Sequence, residues 1–125
     1  MKRVFALVVA GLFFGSVQAQ DDAEEYNIVL PPEAQKCVLP ASPDSLPEEA
    51  SYDQLKTGKA QIATFQVEVE VFRACLKEAE GGPDLTEGNK QAIISSFNYS
   101  VDMEERIAER FNEAIRSYKE RKAAE

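Results

Sequence analysis

The sequence predicts an all-α protein: a long, coiled-coil-like antiparallel hairpin of two helices, preceded by an extended proline-rich strap that a disulfide ties to the first helix. Three observations lead to this prediction. Apolar residues recur with alternating spacings of three and four over two long stretches. Gly81, Gly82 and Pro83 separate these stretches. Five prolines lie within residues 20–50 and exclude a continuous helix there. Since a short connection places consecutive helices side by side, the two helices should form a hairpin.

The first helix is predicted over about residues 51–80. Ser51 is a favourable N-cap, and Gln54 is spaced to complete a capping box. One apolar or small face follows from the spacing: Leu55, Gly58, Ile62, Phe65, Val69, Phe72, Leu76 and Ala79. The run 65–72 also alternates with a period of two, as a strand does. We favour a helix, because no second run of this kind exists to pair with such a strand.

The second helix is predicted over about residues 86–120, with 121–125 as a frayed tail. Asp84 or Thr86 can act as its N-cap. Its predicted contact face comprises Ile94, Phe97, Val101, Glu104, Ala108, Phe111, Ile115 and Tyr118, and is widened by Met103 and Ile107. Glu104 interrupts this face. It is either a charge at the edge of the contact, with its head in water, or a residue that fixes register or partner.

The N-terminus has the form of a secretory signal peptide over residues 1–19. Lys2 and Arg3 precede an uncharged apolar run over 4–14, and a small-residue motif follows, so cleavage is expected between Ala19 and Gln20. The alternative is an uncleaved membrane anchor, but the run is too short to span a bilayer comfortably, since that needs about 20 apolar residues. The remaining 106 residues carry 12 basic and 22 acidic side chains. We therefore expect a periplasmic or secreted protein without membrane insertion after cleavage.

The segment between the signal peptide and the first helix divides into two parts. Residues 20–36 are acidic at their start and are predicted to be disordered. Residues 37–50 form the strap, which should be extended and polyproline-like. In an oxidising compartment Cys37 and Cys75 should form an intramolecular disulfide, although intermolecular bridges or free thiols are alternatives.

A second stripe on the first helix predicts where the strap packs. The stripe consists of Ala60, Thr64, Val67, Val71 and Cys75. The strap spans about 43 Å in polyproline form, and the helix from Ser51 to Cys75 rises about 36 Å, so the two cysteines can meet. The strap residues expected to cover the stripe are Val38, Leu39, Pro40 and Leu46. A looser loop without a packed layer is the alternative.

Several residues of the strap and the first helix form a recognisable pattern. They are Cys37, Pro40, Pro43, Pro47, the Ala50–Ser51 helix start, Phe65 and the run from Phe72 to Leu76. In this pattern, residues 37–120 resemble a group of small exported proteobacterial proteins of unassigned function. Phe72 stands where that group has a tyrosine three residues before the cysteine. The resemblance implies a periplasmic setting and a disulfide-tied helical hairpin, and it implies no activity.

The residue types argue against an enzyme. The chain contains no histidine, which excludes Ser-His-Asp and Cys-His catalysis and histidine-containing zinc sites. No Cys-x-x-Cys, phosphate-binding loop or EF-hand pattern occurs. We therefore predict no catalytic residue, cofactor or metal ligand. The acidic net charge argues against nucleic acid as a partner, because nucleic-acid binding needs clustered basic residues.

These observations predict an exported, non-catalytic helical protein of the cell envelope that acts by protein–protein contact. The partner is another protein or a second copy, which would form a homodimer with a four-helix arrangement. Five aromatic side chains are the candidate interface: Phe65, Phe72, Phe97, Phe111 and Tyr118. The alternative function is a chaperone-like carrier or binding module for peptide or hydrophobic cargo.

Overall fold

The protein is all-helical, as the sequence predicts. A computed structural model describes residues 27–125, so the predicted signal peptide and the cleavage site at Ala19 and Gln20 lie outside the described residues. The elements in chain order are α1 (Pro32–Gln35), α2 (Tyr52–Glu80) and α3 (Glu87–Ala123), with no strand among residues 27–125. The helices α2 and α3 pack together as an antiparallel hairpin.

Helix α2 begins at the predicted capping box. The Gln54 amide donates to the Ser51 hydroxyl, and the Gln54 side chain accepts from the Ser51 amide. The run with period-two alternation is helical, because the helix turns its three valines in different directions. Val69 is fully buried, whereas Val67 and Val71 are 64% and 66% exposed.

Helix α3 is capped by Thr86, whose hydroxyl accepts from the Asn89 amide. Asp84, the alternative predicted cap, instead adopts a left-handed conformation with φ of 60° in the connecting loop. The helix continues to Ala123, beyond the predicted end at residue 120. Its last turns are tied down, because the Arg121 guanidinium donates to the Ala50 carbonyl over 2.6 Å.

The contact face of α3 differs from the prediction by about one residue. Ile93 and Ser100 are buried against α2, whereas Ile94 is 46% exposed. Each residue turns the helix by about 100°, so α3 is rotated relative to the prediction. Much of the predicted contact face therefore lies on the side of the hairpin instead of against α2. The rotation brings Ile93 into the core beside Phe72 and Leu76.

The main core lies at the loop end of the hairpin. Its buried members are Ala34, Phe72, Leu76, Ala79 and Ile93, and Leu30, Cys37, Leu85 and Phe97 pack against it. The predicted disulfide joins Cys37 to Cys75, with the two Cα atoms 5.6 Å apart. The sequence predicts disorder for residues 20–36, but the described part, 27–36, contains α1 and places Ala34 in this core.

The strap packs on the hairpin in a different place from the prediction. Leu46 lies against Gly58, on the same face of α2 as the buried Phe65. Val38 is 78% exposed, and the stripe containing Val67 and Val71 stays uncovered. The physical reason is the extent of burial. A strap side chain that packs where α2 meets α3 is covered by two helices, whereas one that packs on the stripe would be covered by α2 alone.

Candidate functional site

The five aromatic residues of the predicted interface differ in accessibility. Phe65 and Phe72 are buried inside the hairpin and offer no surface in this structure. Phe97, Phe111 and Tyr118 are half-buried along α3. An interface at these three residues stays a prediction, and each of them already has a neighbour within the chain.

Phe97 belongs to a polar cluster that joins the C-terminal part of α2 to α3. The Arg73 guanidinium donates to the Ser100 hydroxyl over 2.9 Å and to the Glu104 carboxylate over 2.7 Å. The same guanidinium and the Lys77 ammonium lie 5.8 Å and 5.9 Å from the centre of the Phe97 ring. Glu104 therefore pairs with the opposite helix through a short, partly buried ion pair.

Tyr118 belongs to a second cluster at the open end of the hairpin. Its ring centre lies 6.4 Å from that of Tyr52, the first residue of α2. The Arg121 guanidinium lies 5.9 Å from the Tyr118 ring and also donates to the Ala50 and Glu48 carbonyls. This cluster holds the end of α3 against the junction between the strap and α2.

A groove separates the strap from the hairpin. It encloses about 300 Å³. Its apolar lining is formed by Leu46, Ile62, Ile107, Phe111 and Ala114, and charged side chains at its edge include Asp44, Arg110 and Glu113. Phe111 of the predicted interface thus faces this groove. The groove combines an apolar floor with a few polar groups, as small-molecule sites do.

The side of α3 away from the strap carries a row of apolar residues, which we call the outer stripe. Its members recur every seven residues: Ile94, Val101, Ala108 and Ile115. Ile94 is exposed and the other three are half-buried. A shallow hollow on this side is lined by Glu105, Ala108, Glu109, Asn112, Ile115 and Arg116.

The outer stripe was included in the predicted contact with the first helix, which is wrong for Ile94. The sequence does carry a signal of this, because Met103 and Ile107 widen the apolar arc of α3 beyond what one neighbouring helix covers. The spacing alone could not show which edge of that arc faces outward.

The polar groups inside the described part of the chain are satisfied within it. Every buried side-chain nitrogen and oxygen of residues 27–125 has a hydrogen-bond partner. No group of three or more potential metal-ligating side chains occurs in the same range. Over these residues, none of the helices has the length and hydropathy of a bilayer-spanning segment.

Comparison of the chain with protein-family models, curated proteins and solved structures found no match. The disulfide between Cys37 and Cys75 is consistent with an oxidising compartment outside the cytosol.

Proposed function

We propose that this protein is exported to the periplasm or secreted, and that it acts in the cell envelope without catalysis, by contact with another protein. The observation that carries the proposal is a hairpin with apolar side chains that remain exposed or half-buried on faces turned away from its core. These side chains are the outer stripe on α3 and the exposed Val67 and Val71 on α2. Exposed apolar side chains that recur along one face of a helix are a surface that another protein could cover.

Two features support the exported setting of this proposal. Residues 1–19 have the order of charge, apolar run and small-residue motif that a signal peptide has. The disulfide, which such a compartment permits, joins the strap to α2 beside the main core. A small scaffold with a thin core usually needs a covalent staple, and export to an oxidising compartment would allow the disulfide to be that staple.

The proposal can be tested by photocrosslinking in cells that export the chain. One variant carries a photoreactive residue at Val101, on the outer stripe, and the matched control carries it at Tyr99. Tyr99 is exposed and lies two residues earlier, about 200° around the same helix. We expect a protein adduct from Val101 and far less from Tyr99. If both positions yield no protein adduct from folded, oxidised chain, the proposal is wrong.

A second candidate function, a carrier of hydrophobic cargo, is favoured by the groove beneath the strap. Its volume of about 300 Å³ suits a small apolar ligand. If the groove binds cargo, an apolar fluorescent dye should bind with one-to-one stoichiometry, and Ala114→Phe, which fills the floor, should abolish binding. Ala74→Phe is the matched control on an exposed position of α2. Equal dye binding by both variants would contradict the carrier function.

A further inference from the structure

The outer stripe of α3 has the periodicity of a helix–helix contact. Its apolar members recur every seven residues. A second row, four residues after each of them, lies beside the stripe on the same side: Asn98, Glu105, Asn112 and Lys119. All four of these polar side chains are exposed. The two rows together form the spacing of four and three that one helix presents to another in a coiled coil.

The polar row has a charge pattern that is complementary to itself in one orientation. Glu105 and Lys119 lie equally far, seven residues, on either side of Asn112. In an antiparallel pair of identical helices with Asn112 on the twofold axis, Glu105 of one copy is opposite Lys119 of the other. A parallel pair in register would instead place Glu105 opposite Glu105, and such like-charge contacts are unfavourable.

Neighbouring charges favour the same arrangement. Glu109 and Arg116, which line the hollow, also lie on either side of Asn112 and become neighbours across the same axis. None of these four charged side chains forms an ion pair within residues 27–125. Their charges are therefore available to a second molecule.

The apolar stripe is complementary to itself in the same register. Ala108, a small side chain, and Ile115, a large one about one turn beyond Asn112, both line the hollow. In the antiparallel pair, Ile115 of one copy lies against Ala108 of the other, so that a large side chain fills the space beside a small one. A contact in which both copies use the same surface closes as a twofold dimer and leaves no open end.

We infer that a second copy of this chain packs antiparallel on the outer stripe of α3, with Asn112 on the twofold axis. The inference rests on the proposed function, because it names the partner in that protein–protein contact as the protein itself. The four long helices of the dimer would then form one assembly, in which the two α3 helices are central and the two straps lie outside.

Single-cysteine crosslinking tests the predicted axis. In Asn112→Cys the two introduced thiols meet at the axis, whereas in Asn98→Cys, the matched control on the same row, they lie far apart. Since the effective concentration within a complex reaches the millimolar range, we expect Asn112→Cys to form disulfide-linked dimer at least about tenfold faster at micromolar protein. Peptide mass mapping confirms that Cys37 stays bonded to Cys75. Equal rates for both variants would overturn the inference.

Charge reversal provides a second, independent readout. Glu105→Lys and Lys119→Glu should each weaken dimerisation by roughly two- to tenfold, because each creates two like-charge contacts across the axis. The double variant should recover the original association. The two residues are 14 positions apart on one helix, so such recovery requires contact between copies. Failure of the double variant to recover would contradict the antiparallel pairing.

The outcomes also separate this inference from the proposed function. If Asn112→Cys crosslinks no faster than Asn98→Cys while the Val101 probe captures a different protein, self-pairing is wrong and the proposed function stands. If the Val101 probe yields no protein adduct and Asn112→Cys also fails, both are wrong.

Discussion

The two ends of the hairpin are held together by different kinds of interaction. At the loop end, Phe72, Leu76 and Ile93 are buried with α1, and the disulfide lies beside them. At the open end, every residue of α3 after Ser100 is at least partly exposed. There the contacts include the buried Leu55, the Tyr52–Tyr118 ring pair, the Arg121 hydrogen bonds and the strap.

The difference shows how a thin hairpin distributes its buried apolar surface. The loop end buries the main apolar cluster, and Ile28, Val38 and Ile94 remain exposed there. The open end retains a groove and an apolar stripe, which burial within the chain would remove. We expect the free energy of unfolding to depend mainly on the loop end, and association to depend on the open half of α3.

The largest expected effect comes from removing the disulfide that closes the loop end. The double variant Cys37→Ala, Cys75→Ala should lower the free energy of unfolding by about 3–4 kcal/mol, because the bond closes a loop of 38 residues in the unfolded chain. Urea unfolding measures the loss. Reductant should reproduce it in the natural chain and leave the double variant unchanged. A loss below about 1 kcal/mol would contradict this dependence.

The next effect compares the same side chain at the two ends of α3. Ile93→Ala should cost about 3 kcal/mol, because it leaves a cavity in the main core. Ile107→Ala should cost about 1 kcal/mol, since Ile107 is half-buried beside the groove and its removal exposes little new surface. Both values come from urea unfolding of the oxidised protein. Equal costs would show that the two ends are equally packed.

A pair of glycines gives a smaller difference of the same kind. A Cβ atom at Gly88 would collide with the backbone carbonyl of Asn27, so Gly88→Ala should displace that segment and cost about 2 kcal/mol. At Gly58 a Cβ atom would lie 3.2 Å from the Leu46 side chain, which can move. Gly58→Ala should therefore change stability by less than about 1 kcal/mol, since the gain in helix propensity offsets the crowding. Thermal unfolding of both variants tests this order.

The smallest effect concerns the polar contacts at the open end. Arg121→Met removes the hydrogen bonds to the Ala50 and Glu48 carbonyls and retains a long apolar stem, so it should cost about 1 kcal/mol. Lys122→Met is the matched control, because the Lys122 ammonium pairs with Glu125 and lies 5.7 Å from the Tyr118 ring, but both of these partners are its near neighbours in the chain. The same denaturation assay should detect almost no change there. If Lys122→Met lowered the free energy of unfolding as much as Arg121→Met does, the Arg121 hydrogen bonds would not be what stabilises the open end.

Local signals in the sequence predicted most of the architecture. The capping box at Ser51 and Gln54, the glycine–proline break and the spacing of apolar residues gave two helices with nearly correct bounds. The disulfide followed from the redox logic of a lone cysteine pair and from the lengths of the strap and the helix. These features depend on neighbours in the chain, which the sequence displays directly.

The contact geometry could not be predicted in the same way. Ile93 and Ile94 are adjacent and equally apolar, so the periodicity alone could not decide which of them enters the core. Arg73 on α2 favours the observed rotation, because its guanidinium needs Ser100 and Glu104 within reach. The strap differs from its prediction for a similar reason, since the recess at Gly58 that receives Leu46 exists only after the hairpin forms.

The most direct measurement of self-pairing on the outer stripe is the solution mass of the oxidised protein, determined by light scattering over a dilution series. A mass twice that of one chain is expected at high concentration. It should fall on dilution, because only noncovalent contacts across the inferred twofold axis would hold the two copies together. A mass of one chain at every concentration would contradict self-pairing.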